Sequence, residues 1–505
     1  MTFARFVNLV GMLAAALAAL LFLAVASAQS PDLAAKAQRG KQAMAEGNFA
    51  LAAQLYAELA AAIPNNPGLL LNLGMAQHMA GDDAKAIPNL QAALKADPNI
   101  FPANLFLGAS FLRTGQMAKA VAPLQKAVEL NPSYPDVRAM LGDALLELGR
   151  PSEAIEHYHK LAELKPEVAG GWVGQVQSYE TLAQQAFQKL EDSAPESAYL
   201  LALVGSVRVT QQQYSSAFYL YKQALAKQPQ MRGLHQALAE IYRRTEHPEW
   251  AAVEEQKEKE LPPLDCQAEK IECAWREMRF DEVLRAAKAA EGPQSGYWQV
   301  RAYNQLAGAS LAKLAELPAS PQRHQVMAEL HRRSGRFVEA VEELRAALKL
   351  APGDPRLEFE LASALYLGRN YEAAGDLSAK LLAQRPTDPE LNWIRGGSLL
   401  ALQKAEESIP PLKKAVEANP DLLAAHHALG RAYMQLGQDA AAVPHLKAAL
   451  PIDEDGSLHY QLGQAYRTTG QMDLAKQTLT TYQQMQRDMK AQQRELQDEI
   501  QITAP

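Results

Sequence analysis

The chain has 505 residues, with 50 lysines and arginines against 57 aspartates and glutamates, which gives a formal net charge of −7. This length is too great for one hydrophobic core, because single cores stop growing at about 250–300 residues. Proteins that bind nucleic acid usually carry a basic stripe and a high isoelectric point, so the acidic balance argues against a nucleic-acid partner. Only 7% of the residues are aromatic, and we expect a mostly helical protein.

The first 28 residues have the pattern of a secretory signal peptide. Arg5 supplies a positive charge, residues 9–25 are apolar and uncharged, and an Ala-Ser-Ala sequence at 26–28 offers a small-residue cleavage site. We therefore predict cleavage before Gln29 and export to the periplasm or the medium. The alternative is an uncleaved segment that anchors the protein in the membrane, although the apolar run is slightly short for a span of about 20 residues.

After this segment, one pattern returns every 34 residues. In the repeat that starts at Pro67, Gly74 lies in a first apolar run, Gly81 breaks the chain, Ala86 marks a second run and Pro98 ends it. The same marks recur at Gly108, Gly115, Ala120 and Pro132, and again at Gly142, Gly149, Ala154 and Pro166. A fixed period with two helical runs is typical of a helix–turn–helix solenoid. The chain resembles the tetratricopeptide repeat (TPR) family, and this resemblance implies an all-α, right-handed superhelical solenoid of about 14 repeats.

The phase of the repeat predicts how the chain is divided. Residues 33–168 carry four regular units, and residues 321–490 carry five. Between them, 169–320 contains units that start too early, which predicts irregular TPR-like hairpins with shortened second helices. Residues 491–505 are predicted to form a capping helix and a tail, because a solenoid needs a terminal unit with one polar face. A coiled-coil contact with another subunit is the alternative for this helix.

Cys266 and Cys273 are the only cysteines. On one continuous helix their Cα atoms would lie about 10 Å apart, whereas a disulfide needs them within about 7 Å. The prolines at 262–263 and the nearby Asp265 place Cys266 in a loop before the helix, and an oxidising compartment favours pairing. We predict a disulfide. Two free buried thiols are the alternative, and the lack of a C-x-x-C motif argues against metal or redox chemistry.

The binding residues are predicted from the family resemblance alone. In TPR proteins, positions 2, 5, 9, 12 and 13 of each first helix line a concave groove. An early groove set is Leu71, Met75 and Leu105, and a late groove set is Phe359, Tyr366, Trp393, His427 and Arg431. Phe359, Trp393 and His427 share position 5 in three successive units and should form a ladder, and aromatic and arginine side chains are typical of binding hot spots. The alternative is that these residues pack between neighbouring helices.

No pattern in the sequence indicates catalysis. The close histidines, His426 with His427 and His157 with His159, lack the H-E-x-x-H spacing of a zinc site. We find no G-x-S-x-G nucleophile elbow and no phosphate-binding loop. We therefore predict no enzyme activity, no metal and no cofactor.

The sequence thus predicts a non-enzymatic, exported scaffold that binds a protein or an extended peptide. One alternative is an assembly component of an envelope or exopolysaccharide secretion machine, because the chain also resembles the repeat proteins that organise such machines. A second alternative, the regulatory arm of an enzyme such as a glycosyltransferase, is disfavoured because repeats fill nearly all of the chain after the first 28 residues. Membrane association is expected only if the N-terminal segment stays uncleaved.

Overall fold

The computed structural model describes residues 31–499 and 502–505, so the predicted signal peptide lies outside the described residues. Every regular element in this described part is helical, with 26 α-helices, one 3-10 turn and no strand. The predicted all-α class is therefore confirmed. Among these helices, none has the combination of length and apolarity that crossing a bilayer requires.

The first eight helices form four successive hairpins, and helices that follow each other in sequence also pack against each other. Their bounds are α1 Pro31–Ala45, α2 Phe49–Ala62, α3 Pro67–Met79, α4 Asp83–Ala96, α5 Phe101–Arg113, α6 Met117–Leu130, α7 Pro135–Glu147 and α8 Pro151–Leu164. Proline occupies the start of several first helices, where the missing N–H would have had no intrahelical partner.

In the regular hairpins, a small residue on the first helix lies directly against a side chain of the second helix. A Cβ added at Gly74 would lie 2.6 Å from Cγ of Leu90, and one added at Gly108 would lie 2.5 Å from the Leu124 side chain. Real carbon atoms do not approach so closely, so only a residue without a side chain lets the two helices reach this distance. The same contact recurs in Gly142 with Tyr158, Gly205 with Tyr221, Gly396 with Leu412, Gly430 with Leu446 and Gly463 with Leu479.

The turn inside a hairpin is set by backbone conformation and capping. At Gly81, φ is +89°, in the left-handed region that glycine adopts without a steric penalty. The next residue, Asp82, caps α4, because its carboxylate accepts a hydrogen bond from the amide of Lys85. Such a cap satisfies one of the N–H groups that the first turn of a helix leaves unpaired. The turn therefore ends one helix and starts the next within a few residues.

The chain departs from this pattern at residue 169. There α9 (Ala169–Ser193) is one continuous helix of 25 residues, and further on α16 (Pro293–Glu316) is one continuous helix of 24. The prediction of hairpins with shortened second helices is wrong for these two stretches. From Gln175 to the end of α9 the sequence contains neither glycine nor proline, so nothing interrupts the helix.

The two long helices pack along each other in antiparallel orientation. A Cβ on Gly296, near the start of α16, would lie 2.9 Å from Cβ of Leu190, near the end of α9. At the opposite ends, the Ser310 hydroxyl donates to Oε1 of Gln175 at 3.0 Å, and both side chains are buried. α9 and α16 thus form a hairpin whose connection is the whole intervening stretch of chain.

That stretch contains six helices in three pairs. Their bounds are α10 Ala198–Thr210, α11 Tyr214–Lys227, α12 Leu234–Arg244, α13 Pro248–Glu260, α14 Lys270–Arg276 and α15 Phe280–Ala289. The first two pairs have ordinary lengths. In the third pair both helices are short.

The remaining helices resume the regular hairpins. Their bounds are α17 Pro321–Arg333, α18 Phe337–Leu350, α19 Pro355–Leu367, α20 Tyr371–Leu382, α21 Pro389–Ala401, α22 Ala405–Ala418, α23 Leu423–Gln435, α24 Asp439–Ala449, α25 Ser457–Thr468 and α26 Met472–Glu499, with the 3-10 turn Leu450–Ile452 after α24. α26 has 28 residues and continues well beyond its partner α25.

Contacts between Cα atoms divide the chain into two compact units, each discontinuous in sequence. The first unit holds the residues up to Ser193 together with Leu264–Pro318, and so contains α1–α9 and α14–α16. The second unit holds Ala194–Pro263 together with Ala319–Pro505, and so contains α10–α13 and α17–α26.

Tyr158 on α8 allows a direct test of the close packing. Added Cβ atoms would lie 2.7 Å from its ring at Gly142 on α7 and 2.1 Å from its ring at Gly174 on α9. Because the ring is confined on both sides, Gly174→Ala should overpack the contact and lower the free energy of opening of α8 and α9 by about 1–3 kcal/mol. Native-state hydrogen exchange of these two helices measures that quantity.

Gly170→Ala is the matched control. Gly170 lies in the first turn of the same helix, and an added Cβ would meet nothing within 4 Å. This substitution should leave the stability unchanged or raise it by up to about 1 kcal/mol, because alanine loses less backbone entropy than glycine on folding. Equal protection factors for the two variants would contradict the proposed role of Gly174.

Candidate functional site

Four residues of the late groove set lie on α19, α21 and α23, the first helices of three successive hairpins. α21 contacts both α19 and α23. The rings of Tyr366 on α19 and Trp393 on α21 make an edge contact, with centroids 5.1 Å apart. His427 and Arg431 lie four residues apart on α23 and so share one helix face. The charge of Arg431 acts on both His427 and Tyr366. We call Tyr366, Trp393, His427 and Arg431 the late cluster.

Two adjacent glycines on α21 allow the late cluster to form. A Cβ on Gly396 would lie 2.5 Å from Cγ of Leu412, which belongs to the same hairpin. A Cβ on Gly397 would lie 2.5 Å from the hydroxyl oxygen of Tyr366, which belongs to the preceding hairpin. Gly396 therefore closes its own hairpin, whereas Gly397 leaves room for Tyr366 to extend from α19 across α21.

The late cluster combines ring surfaces with one exposed charge. Arg431 is exposed, whereas Tyr366, Trp393 and His427 are half-buried. The Nε2 atom of His427 is buried and makes no hydrogen bond within the described part of the chain. A buried polar atom of this kind has the capacity for one more hydrogen bond, which a bound ligand could supply.

The electrostatics of the late cluster keep its tyrosine and histidine uncharged at neutral pH. Burial raises the pKa of Tyr366, with Tyr371 adding to this effect and Arg431 opposing it. Burial, followed by the charge of Arg431, lowers the pKa of His427 against the influence of nearby aspartates. The cluster therefore offers a phenol, a neutral imidazole and a guanidinium, a combination suited to hydrogen bonds and to an acidic group.

Phe359 lies on α19, as predicted, but mainly contacts other side chains. It packs against the buried Leu381 and Leu391, and the guanidinium carbon of Arg385 lies 5.9 Å from its ring centre. Trp393 shares a second hydrophobic cluster with Phe359, although its ring contact is with Tyr366. The role of Phe359 in partner binding stays a prediction.

The early groove set lies in the core. Leu71, Met75 and Leu105 are only 7%, 4% and 3% exposed, and they belong to one hydrophobic cluster. α3 and α5 are the first helices of adjacent hairpins and contact each other directly, so long aliphatic side chains at these positions fill the space between them. The prediction that these three residues face a partner is wrong, and the alternative of packing between helices applies.

Cys266 and Cys273 are joined by a disulfide, with their Cα atoms 5.6 Å apart. Cys266 is exposed in the loop before α14, and Cys273 is buried on that helix. This is the arrangement that the prolines and Asp265 predicted. The bond ties the loop to a helix of only seven residues, which is too short to be stable by itself.

Beside the disulfide, Arg301 of α16 lies among three aromatic rings, which sequence analysis did not identify. Its guanidinium carbon is 4.1 Å from the ring centre of Trp275, 4.9 Å from that of Trp298 and 5.1 Å from that of Tyr297. One of its N–H groups also donates to the Tyr297 hydroxyl at 2.8 Å. Cation–π contacts are worth about 2 kcal/mol when desolvated, and these contacts hold the short helix α14 against α16.

A polar pair connects the two helices of three hairpins at a constant separation of 19 residues. The pairs are His235 with Glu254, His324 with Glu343, and His426 with His445. In the first two pairs an imidazole faces a carboxylate. In the third pair the carboxylate is replaced by a second imidazole. If both rings take up protons, the attraction between the partners becomes a repulsion.

In the third pair, a single proton lies between the Nδ1 atoms of His426 and His445. Nε2 of His426 donates to the carbonyl oxygen of Pro420 at 3.1 Å, which leaves its Nδ1 as an acceptor for the Nδ1–H of His445 at 3.0 Å. Burial lowers the pKa of His445, and the charges of His426 and Lys413 lower it further. The ring of Tyr433 stacks on His445, with centroids 5.9 Å apart.

Comparison with protein-family models identifies the family. Models of the tetratricopeptide repeat match residues 37–99, 80–135, 111–169, 326–389, 395–457 and 456–489. These matches together cover more than half of the chain, and the chain belongs to the tetratricopeptide repeat family. Members of this family bind protein or peptide partners, and the protein is a protein–protein interaction scaffold.

Individual relatives match only parts of the chain. The peroxisomal targeting signal receptor of Eremothecium gossypii is 31% identical over 112 residues, which are 22% of this chain and 20% of that receptor. The chain therefore spans about a fifth of the length of this relative. Among solved structures, the chain of MamA from residue 41 to its end, from Desulfovibrio magneticus RS-1, is 22% identical with a TM-score of 0.30, and the match covers 33% of this chain and 96% of that chain. The thermophilic TPR protein TTC0263 of Thermus thermophilus is 20% identical with a TM-score of 0.29, and the match covers 36% of this chain and 98% of that chain.

The His426–His445 pair predicts that the α23–α24 hairpin loses stability in acid. The folded pKa of His445 lies below its ordinary value, so the unfolded chain binds protons that the folded pair excludes. The contribution of His445 to stability is therefore complete above its ordinary pKa of about 6.5 and is lost as the pH falls below that value. Hydrogen exchange of α23 and α24 at pH 7.5 and pH 5.5, corrected for the intrinsic exchange rates, measures this change.

Two substitutions separate the charge effect from packing. His445→Glu restores the imidazole–carboxylate pair of the other hairpins, and the loss of stability between pH 7.5 and pH 5.5 should then be smaller than in the unmodified protein, with the contribution of His427 on α23 remaining. In His445→Gln the residue at 445 does not titrate, so the loss should again be smaller than in the unmodified protein, with the contribution of His427 remaining. An unchanged loss of stability in both variants would show that the acid sensitivity originates elsewhere.

Proposed function

We propose that the protein binds an extended segment of a partner protein at the late cluster and performs no chemistry of its own. The observation that carries this proposal is the late cluster itself, where half-buried rings and an unsatisfied imidazole nitrogen lie beside the exposed Arg431. Aromatic rings and arginine are the residue types that dominate binding energies at interfaces. The TPR fold is typically non-enzymatic, which agrees with a scaffold.

The chemistry of the late cluster indicates what the partner segment contains. Arg431 is suited to a carboxylate, and the edges of Tyr366 and Trp393 are suited to an apolar or aromatic side chain. His427 can exchange a hydrogen bond with a backbone amide or carbonyl through Nε2. The expected ligand is a polypeptide segment with an acidic residue next to an apolar one. The curated relative is named as a receptor for a targeting signal, which accords with recognition of another polypeptide.

We further propose that the protein is exported. The signal-like sequence at 1–28 supports this, as does the disulfide between Cys266 and Cys273, because structural disulfides persist mainly in oxidising compartments. A role within an envelope or exopolysaccharide secretion machine is a narrower form of this proposal. It would follow if the partner is itself a component of such a machine.

If the late cluster binds the partner, reversing the charge of Arg431 should greatly weaken partner binding. The tagged protein would be cross-linked in the intact cell envelope and recovered with its partners. Arg431→Glu should reduce recovery of the specific partner by about tenfold or more, since truncating or reversing a hot-spot arginine costs about 2 kcal/mol or more. Because Arg431 is exposed, the substitution should leave folding intact, which circular dichroism can verify.

Arg336→Glu is the matched control for this experiment. Arg336 is an exposed arginine in the turn before α18, so the variant has the same net charge as Arg431→Glu but an intact late cluster. Partner recovery should equal that of the unmodified protein. If both variants retain the partner, the late cluster is not the binding site.

Export predicts a defined N-terminus and oxidised cysteines. N-terminal sequencing of the protein from its native host should begin at Gln29, and a thiol reagent should label neither cysteine until a reductant is added. A protein that begins at Met1 but has oxidised cysteines would indicate a membrane-anchored form. A protein that begins at Met1 with two reactive thiols would contradict export.

A further inference from the structure

Tyr242, on α12, contacts a segment that lies far away in sequence. Its side chain is fully buried, and its ring lies between Phe218 of α11 and Trp250 of α13, with centroids 5.6 Å from each. Its hydroxyl donates to the carbonyl oxygen of Thr503 at 2.6 Å. The two residues are 261 positions apart and belong to the same compact unit.

The Tyr242 hydroxyl keeps its proton at physiological pH and can therefore always donate a hydrogen bond. Burial raises the pKa of Tyr242 to about 12, and Glu254 contributes in the same direction, so the proton stays on the oxygen throughout the physiological range. A buried hydroxyl that lacks an acceptor is destabilising because it has lost its hydrogen bonds to water. The Thr503 carbonyl provides that acceptor.

The segment 502–505 contacts Tyr242 through its backbone. It follows α26, has no regular secondary structure, and leaves Ile502 half-buried while the next three residues are exposed. The hydrogen bond uses a carbonyl group, which every residue possesses. The hydrogen bond from Tyr242 is therefore made to the backbone of the segment and not to a particular side chain.

We propose that this surface is a docking site for the chain's own segment 502–505, and that the docked segment keeps the site closed to other polypeptides. The site is separate from the late cluster and does not depend on its function. Loss of the Tyr242 contact should leave partner capture through Arg431 unchanged, so the two proposals can fail independently.

A fluorescent label at position 504 tests the docking. Ala504 is exposed, and both native cysteines are in the disulfide, so a bimane reagent would modify only the cysteine of Ala504→Cys. Bimane emission is quenched by a nearby tryptophan, and Trp250 is in ring contact with Tyr242. The label should be strongly quenched in the full chain and should recover its emission when Trp250→Phe is added.

A conservative substitution then measures the hydrogen bond. Tyr242→Phe keeps the ring but removes the donor, and should lower the docked-to-free ratio about fivefold, as expected for one neutral hydrogen bond. Tyr433→Phe is the control, because Tyr433 occupies the same position in its own hairpin but stacks on His445. An unquenched label, or equal effects of the two substitutions, would overturn the proposal.

Closure of the site is tested with a peptide in trans. A labelled peptide of residues 496–505 should bind the variant that lacks 502–505 about ten times more tightly than the full chain, since a tethered competitor acts at high effective concentration. Equal binding to both proteins would overturn closure. Quenching of the bimane label that weakens on dilution would show that the segment comes from a second copy, and would overturn docking within one chain.

Discussion

The contact between a glycine on one helix and a large side chain on the next is the constraint on which the structure depends. At Gly74 and Gly108 the space for even one methyl group is already filled by Leu90 and Leu124. This contact sets how closely the helices of a hairpin approach, and therefore how much apolar surface the hairpin buries. In a repeat array each hairpin packs only on its neighbours, so the stability of each unit depends on the repetition of this local contact rather than on one central core.

The regular hairpins could be predicted from sequence because this contact leaves a periodic pattern of glycine and proline. The pattern fails in the middle of the chain because an early start of the next unit favours a hairpin with a shortened second helix. A stretch without glycine or proline is equally consistent with one longer helix, as α9 shows. The pairing of α9 with α16 had no periodic signal at all, since Gln175 and Ser310 meet across 135 positions. Contacts of this kind depend on tertiary packing, which a local pattern does not encode.

The candidate site was predictable in part for a related reason. Family positions brought Tyr366, Trp393, His427 and Arg431 into one candidate site, whose role in binding stays a prediction, but the same positions in the early repeats hold Leu71, Met75 and Leu105 in the core. The position of a residue in the repeat determines the direction in which its side chain points. The exposure of that side chain depends on how closely the next helix packs. Gly397 shows the difference, because its missing side chain lets Tyr366 cross between hairpins. The polar pairs at a spacing of 19 residues, two of an imidazole with a carboxylate and one of two imidazoles, are evident only once both helices of a hairpin are placed together.

The antiparallel pairing of α9 with α16 also has a consequence for the order of folding. α9 ends about 100 residues before α16 begins, so a ribosome that adds about 5–20 residues per second leaves the α9 face uncovered for roughly 5–20 s. The hairpins before α9 can fold as they emerge, because their contacts are local in sequence. The first unit cannot be completed until α16 has been made, and the buried side chains of α9 are exposed to wrong partners in the meantime. Biogenesis of this array is therefore expected to be slowest at the pairing of α9 with α16, which does not form from neighbouring sequence, and a chaperone that shields α9 would act there.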